Sequence, residues 1–215
     1  MVKTRLASIL PLRAVTAFYR CLLDDTLALA KTLRHVQVSV MCPQSDVNEL
    51  RQLAGDEVSV VAQSGQGLAA GLTSVFAHFT ANGPRRTIAF NSDSPHLPPS
   101  VLEDAFEILV AHDLVVGPTH DGGYYLVGAK TPHPALFAGD GMGTSSAFDK
   151  LLSQAGALDL SVGFAEPFYD VDVADDLSRL AADLRLAPAR APRTALWLNE
   201  WELTTAQTRT GAGEL

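Results

Sequence analysis

One aspartate, Asp93, lies where a carboxylate could take part in chemistry. It follows an apolar run that ends at Phe90, and Pro95, Pro98 and Pro99 prevent further strand pairing beyond it. The pattern predicts a strand, a polar loop and a helix, and open α/β sheets bind ligands at the carboxyl ends of strands. A carboxylate there suits Mg²⁺ or Mn²⁺ that also contacts the phosphates of a ligand. The alternative is that Asp93 only closes a turn.

Strand and helix patterns alternate along the chain around Asp93. Apolar side chains at three- and four-residue spacing predict helices, and short apolar runs between turn residues predict strands. The predicted helices are 11–33, 45–53, 68–80, 100–112, 144–155, 175–186 and 194–203, and the predicted strands are 36–42, 58–61, 88–90, 114–116, 124–127 and 158–164. This order predicts a three-layer α/β/α fold with a mostly parallel sheet. The seven residues 117–123 are too few for a crossover helix, so the strands beside them should be antiparallel or offset.

Polar residues follow three of the predicted strands. They are the turn from Gln63 to Gly67, then Asp93, and then Asp170 with Asp172. Their shared position favours a binding site over isolated turns. Helix starts are predicted at Ser100, which forms a capping box with Glu103, and at the acidic pair 175–176.

Composition limits the classes of function. The chain has 215 residues, of which 47% are hydrophobic, which predicts one domain (1–190) followed by a C-terminal helix and tail (191–215). A net charge of −8 argues against nucleic acid or an anionic membrane as a partner, while a small phosphorylated ligand remains compatible with it. Two cysteines without a metal or disulfide pattern predict a cytoplasmic protein. The oligomeric state is not predicted.

Four motifs, in order along the chain, resemble those of a known bacterial family. They are Lys-Thr-Arg-Leu-Ala at 3–7, Asn-Ser-Asp-Ser-Pro-His-Leu-Pro at 91–98, Gly-Pro-Thr-His-Asp-Gly-Gly-Tyr-Tyr-Leu at 117–126, and Asp-Val-Asp-Val-Ala-Asp-Asp-Leu at 170–177. The chain is similar to the glycosyltransferase-A-like (GT-A) family labelled rSAM/selenodomain-associated transferase 1. That family is related to the nucleotidyltransferases that make activated sugars and cofactors. The resemblance implies a nucleotide-diphospho-sugar transferase fold.

The sequence departs from the family pattern at three places. His96 stands where an acidic residue is common, and Asn91 stands where glycine is common. Family members usually have an apolar first strand and a Pro/Gly-rich turn before the Lys-Thr-Arg segment, whereas here the sequence has Met1 and Val2 before it. Either the natural chain starts further upstream, or this protein has lost the strand.

The resemblance implies a metal and phosphate site. Asp93 and Asp172, with Asp170 as second choice, would bind Mg²⁺ or Mn²⁺, and the ion would neutralise a departing diphosphate. Lys3 and Arg5 would hold phosphate. The alternatives are that Asp170 and Asp172 cap the next helix and that Lys3 and Arg5 belong to a solvated terminus.

The resemblance also implies contacts with the base and the acceptor. Gln63 and Gly67 would face the base, since an amide both donates and accepts and glycine allows close approach. Asp121 would bind a hydroxyl or act as a general base. The acceptor or sugar pocket would be shaped by Gly122, Gly123 and Tyr124. The alternatives are a plain glycine turn at 63–67 and a tight connection between strands at 121–124.

Three functions fit these expectations. The first is transfer of a glycosyl group from a nucleotide-diphosphate sugar to a small-molecule acceptor. The second is nucleotidyl transfer with release of pyrophosphate, which normally uses a glycine- and arginine-rich loop that this sequence does not show. The third is a non-catalytic relic with a binding role.

Overall fold

The computed structural model describes residues 5–139 and 144–211, with side chains described as far as residue 203. The α-helices in these ranges are Leu12–Thr32 (α1), Val47–Ala54 (α2), Gly67–Phe79 (α3), Pro99–Ala111 (α4), Ala147–Ala157 (α5), Ala174–Leu186 (α6) and Pro192–Gly211 (α7). The strands are Ser39–Cys42 (β1), Ser59–Ala62 (β2), Thr87–Phe90 (β3), Leu114–Pro118 (β4), Tyr124–Ala129 (β5) and Val162–Phe164 (β6). Short 3-10 helices are Leu6–Ser8, Gln44–Asp46, Pro134–Phe137 and Pro188–Arg190.

The strands form two sheets. β1 and β2 pair in parallel, and the other sheet has the order β3-β5-β4-β6. β5 is antiparallel to both of its neighbours, whereas β4 and β6 are parallel. Three of these four strands therefore run in one direction. The short loop between β4 and β5 forces the single reversal, as its length predicts, and the α/β fold class is confirmed.

Contacts divide the chain into two compact units. The first consists of Met1–Leu29, Ser92–Leu97 and Asp170–Leu215, and the second consists of Ala30–Asn91 and Pro98–Tyr169. All six strands belong to the second unit. The predicted boundary at residue 190 stays a prediction. In the described ranges, no helix has both the length and the apolar character that a bilayer crossing requires.

The core of the second unit lies around β4 and β5. Alternate residues of a strand share one face, and the inward faces of these strands supply side chains that are almost completely buried. Each buried Leu, Val or Phe side chain contributes about 1.5–3 kcal/mol relative to an exposed one. The cluster comprises Leu72, Phe76, Leu114, Val116, Val127, Ala129, Leu136, Phe137, Leu151 and Ala155. This packing fixes both strands that carry the 119–123 loop.

Some predicted element ends are wrong. α4 begins at Pro99 with Pro98 as its N-cap residue and no side-chain cap, so exposed Ser100 does not form the predicted capping box. Proline at the first helical position sets φ in advance and has no N–H to satisfy. β6 begins only at Val162, because the backbone N–H groups of Leu158 and Leu160 still bond to Ala155 at the end of α5.

A buried carboxylate in the first unit fixes the start of α7. Asp25 on α1 is only 2% exposed, and it accepts the backbone N–H groups of Arg193 (3.2 Å) and Thr194 (2.8 Å). These amides lie in the first turn of α7, where a helix offers them no carbonyl partner. Asp25 therefore caps a helix that is distant in sequence.

Asp25→Ala should lower the free energy of unfolding by about 3 kcal/mol, since hydrogen bonds to charged groups contribute about 1.5–3 kcal/mol. Urea denaturation measures this loss. Asp24→Ala is the matched control, because Asp24 forms an ion pair with the exposed Arg193 guanidinium (3.2 Å) and exposed pairs contribute about 0–1 kcal/mol. Equal losses in the two variants would contradict the capping role of Asp25.

Candidate functional site

The structure brings together two of the acidic segments within the first unit. The backbone N–H of Val171 donates to the carbonyl oxygen of Asp93 at 3.0 Å. The Ser94 hydroxyl donates to Asp170 Oδ1 at 3.2 Å. Asp93 thus lies beside the segment that carries Asp170 and Asp172, as the order of strands and loops predicts. Metal binding by these carboxylates stays a prediction.

Burial alternates along the Asp170 segment as it does in an extended chain. Val171 is fully buried, whereas Asp170 and Asp172 on either side of it are half-buried. The core side chain of Val171 therefore anchors the segment between the two carboxylates.

The start of α6 is capped by Asp176. Its Oδ2 accepts the backbone N–H groups of Asp172 and Val173, both at 2.9 Å, and Val173 is the N-cap residue. The N-cap position itself is therefore occupied by Val173 and not by Asp170 or Asp172. Asp176 also fixes the backbone of Asp172. The sequence contained one signal for this cap, since Asp176 lies four residues after Asp172 in the first turn of the helix.

A metal ion bound at this place would need oxygen ligands from a bound molecule in addition to protein side chains. Within the described part of the chain, no group of three or more His, Cys, Asp and Glu side chains is arranged to hold a metal ion. Mg²⁺ in proteins is commonly held by one or two carboxylates together with substrate phosphates, whereas Ca²⁺ takes six to eight oxygens. The predicted site at Asp93 and Asp172, with Asp170 as the second choice, would have to be of the first kind.

The Asp121 carboxylate forms hydrogen bonds within its own loop in the second unit. Asp121 Oδ1 accepts the Thr119 hydroxyl at 2.5 Å and the Gly123 N–H at 3.2 Å. The Thr119 N–H in turn donates to the Gly123 carbonyl at 3.0 Å. This geometry supports the tight-connection alternative, because an aspartate that bonds to the amide two residues on stabilises a turn. The general-base role of Asp121 stays a prediction.

Gly122 joins the same loop to the start of α5. Its carbonyl accepts the Phe148 N–H at 3.0 Å, and its φ is +88°. A Cβ atom at this position would lie 2.0 Å from the carbonyl oxygen of Ser145. Only glycine combines this backbone conformation with such close approach.

Tyr124 begins β5 directly after this loop. Its side chain is half-buried, and burial raises the pKa of its phenol to about 12. The hydroxyl therefore stays protonated near neutral pH and can donate a hydrogen bond. The phenol is therefore not a base near neutral pH, and contact of Tyr124 with a ligand stays a prediction.

The Gln63 side chain closes the glycine turn after β2. Its Nε2 donates to the carbonyl oxygens of Gly65 (3.1 Å) and Gly67 (3.3 Å). Gly67 has a φ of +81° and begins α3. These bonds support the plain-turn alternative, and contact of Gln63 and Gly67 with a base stays a prediction.

The basic segment is only partly described. Arg5 is exposed, and its carbonyl accepts the Ser8 hydroxyl at 2.8 Å in the first 3-10 helix. Lys3 lies outside the described residues. Phosphate binding by this pair therefore stays a prediction.

A buried histidine lies close to Asp93 in sequence. His96 is 1% exposed, and burial lowers its pKa to about 4. Asp183, whose Oδ2 lies 4.0 Å from His96 Nε2, opposes this shift, while Arg190 and Arg179 reinforce it. The imidazole is therefore neutral in the folded protein at physiological pH.

The low pKa of His96 predicts a loss of stability in mild acid. The unfolded chain binds the proton below about pH 6.5, whereas the folded chain binds it only near pH 4. The free energy of unfolding should therefore fall as pH drops, by about 2 kcal/mol at pH 5 relative to pH 8. Urea titrations of the parent and of His96→Leu at both pH values test this expectation. An identical pH dependence in the variant would contradict it.

Comparison with known proteins relates this chain to one protein family and to solved structures. A family model described as "Uncharacterized protein conserved in bacteria" (DUF2064) matches residues 26–144. Among 28 matching chains of solved structures is a candidate nucleotide-diphospho-sugar transferase from Desulfovibrio desulfuricans G20. The two chains are 25% identical with a TM-score of 0.86 over 96% of this chain and 91% of that one. No curated protein matches.

These matches confirm the predicted fold type. The α/β fold is shared with the Desulfovibrio protein over nearly the whole chain. The narrower resemblance to the rSAM/selenodomain-associated transferases stays a prediction.

Proposed function

The chain belongs to the DUF2064 family of bacterial proteins, and we propose that it is a metal-dependent transferase of the GT-A type. It moves a glycosyl group from a nucleotide-diphosphate sugar to a small-molecule acceptor. The observation that carries this proposal is the structural match, at a TM-score of 0.86, to a candidate nucleotide-diphospho-sugar transferase. The contacts that join the Asp93 loop to the Asp170 segment support it further.

In this proposal, Asp93 and Asp172 hold Mg²⁺ or Mn²⁺, with Asp170 as the second choice. The ion supplies charge neutralisation for the diphosphate that departs when the sugar is transferred. The backbone of Asp93 is held by the Val171 N–H, and the backbone of Asp172 is held by the Asp176 carboxylate. Both candidate ligands therefore have main chains fixed before any ion binds, which limits the entropy lost on binding.

The remaining proposed roles concern binding of the nucleotide-sugar donor and of the small-molecule acceptor. Lys3 and Arg5 bind phosphate, and Gln63 and Gly67 face the base. Asp121 binds or deprotonates an acceptor hydroxyl, with its carboxylate held in place by the Thr119 hydroxyl and the Gly123 amide. The backbone at Gly122 and Gly123, together with Tyr124, shapes the sugar or acceptor pocket.

The charge and the cysteines support the proposed partners and location. With 24 acidic against 16 basic residues, neither nucleic acid nor an anionic membrane is the expected partner. Both cysteines, Cys21 and Cys42, are free thiols. A reducing cytoplasm suits such a protein.

Thermal melting with Mn²⁺ and a panel of nucleotides tests the proposal. We expect UDP-sugars or GDP-sugars to raise the melting temperature more than nucleoside triphosphates do. A ligand at 100 times its dissociation constant stabilises the folded state by about 2.7 kcal/mol. Preference for a triphosphate, with release of pyrophosphate, would instead identify a nucleotidyltransferase. A panel in which no nucleotide shifts the melt would favour the non-catalytic relic.

A further inference from the structure

Two phenylalanine rings form a pair at the surface of the second unit. Phe164 is the last residue of β6, and its side chain is 52% exposed. Its ring centroid lies 6.1 Å from that of the half-buried Phe148 on α5, and the two ring planes are inclined at 55°. A single exposed apolar side chain is ordinary in a soluble protein, whereas two adjacent rings offer a surface to which an apolar ligand can bind.

Main-chain contacts hold this ring pair beside the 119–123 loop. The Phe148 N–H donates to the Gly122 carbonyl at 3.0 Å. The chain that leaves β6 continues alongside β4, and Phe168 forms a parallel bridge with Thr119 at the start of the loop. The segments that carry the two rings are therefore each joined to the same loop by a separate contact.

We propose that Phe164 is a specificity-determining residue for the acceptor, and that this acceptor carries a flat apolar ring in addition to a hydroxyl. The inference rests on the proposed function, in which Asp121 binds the acceptor hydroxyl. Small-molecule sites combine apolar and aromatic walls with a few polar groups that fix the orientation of the ligand. Here the ring pair supplies the apolar wall, and the 119–123 loop supplies the polar group.

The size and geometry of the ring pair fit a small molecule. An aromatic side chain buries about 150–250 Å², whereas a stable protein interface needs about 800 Å² from each partner. Aromatic rings pair in tilted or offset arrangements at centroid distances of about 4.5–7 Å, and Phe148 and Phe164 already do so. A ligand ring on the exposed part of Phe164 would extend this arrangement to a third ring.

Binding of naphthylmethanol, which has a flat ring and one hydroxyl, tests the proposal by ligand-observed NMR titration. Phe164→Ala should weaken this binding by about 10-fold, the upper end of the range for an aromatic pair. Phe164→Tyr keeps the ring and should bind as the parent does. Leu158→Ala is the matched control, because Leu158 is an exposed apolar residue at the opposite end of α5, and it should leave the affinity unchanged. Glycerol, which has hydroxyls and no ring, should bind more weakly than naphthylmethanol.

Several results would overturn the proposal. These are a parent that does not bind naphthylmethanol, equal affinity in the parent and Phe164→Ala, and an equal loss in Leu158→Ala. Analytical ultracentrifugation adds a further one, since a parent that self-associates through Phe164 would assign the ring pair to a protein interface. If Phe164→Ala does not fold, Phe164→Leu replaces it, because leucine keeps the apolar bulk without the flat ring and should also weaken binding.

Failure of this inference differs from failure of the proposed function. A parent that nucleotide-sugars stabilise, but whose naphthylmethanol binding does not depend on Phe164, would keep the transferase proposal and overturn the ring-bearing acceptor. A parent that binds naphthylmethanol through Phe164, yet is stabilised by no nucleotide, would support ring binding by Phe164 and overturn the transferase proposal.

Discussion

Asp93→Asn should abolish Mn²⁺-dependent binding of the nucleotide-sugar and leave the melting temperature without ligand unchanged. The substitution keeps the size and shape of the side chain but removes the charge that attracts a divalent cation. Asparagine retains one neutral carbonyl oxygen, which is a weaker ligand for a hard ion. We expect the affinity loss to exceed roughly 100-fold, the upper end of the range for residues that only orient metal ligands.

Calorimetric titration of Mn²⁺ with the nucleotide-sugar that gives the largest thermal shift measures this loss. Asp104→Asn is the matched control, because Asp104 is an exposed carboxylate on α4 and the same charge is removed there. Lost binding in Asp93→Asn alone, with equal melts in all three proteins, supports the metal role. Asparagine closes turns nearly as well as aspartate does, so equal binding in the variant and the parent would mean that Asp93 is a turn residue. That result would also remove the main residue-level reason for proposing an enzyme.

The secondary structure could be predicted mainly where periodicity is strong. The helix predicted over 11–33 is α1 (Leu12–Thr32), because its apolar side chains recur at helical spacing for several turns. The helix-start prediction at Ser100 failed because Pro98 and Pro99 already define the start of α4. Serine and proline signals compete at such a position, and proline prevails because its φ is fixed covalently.

The sequence predicts that the acidic segments lie near each other, because each follows a strand. It does not predict the hydrogen bonds that join them. The expectation that Asp93 lies near the Asp170 segment came from their shared position after strands, where open α/β sheets bind ligands. The structure shows the two segments in contact. The Ser94 hydroxyl and the Asp176 cap were not predicted, because their partners depend on side-chain positions that spacing alone does not determine. A local signal existed only for Asp176, which lies in the first turn of α6.

The roles of Asp121 and Gln63 show a different limit. Both residue types bind ligands and also stabilise turns, since each can bond to backbone groups a few residues away. The structure shows the turn contacts for both side chains. Residue type alone cannot separate the two roles, because the same oxygen and nitrogen atoms serve both.

Gly122→Ala should destabilise the protein by about 4 kcal/mol, the largest stability loss that we expect from adding one methyl group. The new Cβ would lie 2.0 Å from the Ser145 carbonyl oxygen and 2.9 Å from its carbonyl carbon. Both are backbone atoms, so no side-chain rotation relieves the overlap. The φ of +88° adds about 1–3 kcal/mol of backbone strain, and forced repacking adds about 1–3 kcal/mol.

Gly67→Ala separates these two contributions. Gly67 has a similar φ of +81°, but a Cβ there would meet no atom within 4 Å. The free energy of unfolding of Gly67→Ala should therefore fall only by the cost of left-handed backbone strain, about 1–2 kcal/mol. Urea denaturation of both variants and the parent gives the difference. A larger loss for Gly122→Ala means that the Asp121 loop is locked against the start of α5, where the Phe148 N–H holds the Gly122 carbonyl. Equal losses would mean that the Ser145 backbone moves aside, and that the loop and the start of α5 are not held rigidly together.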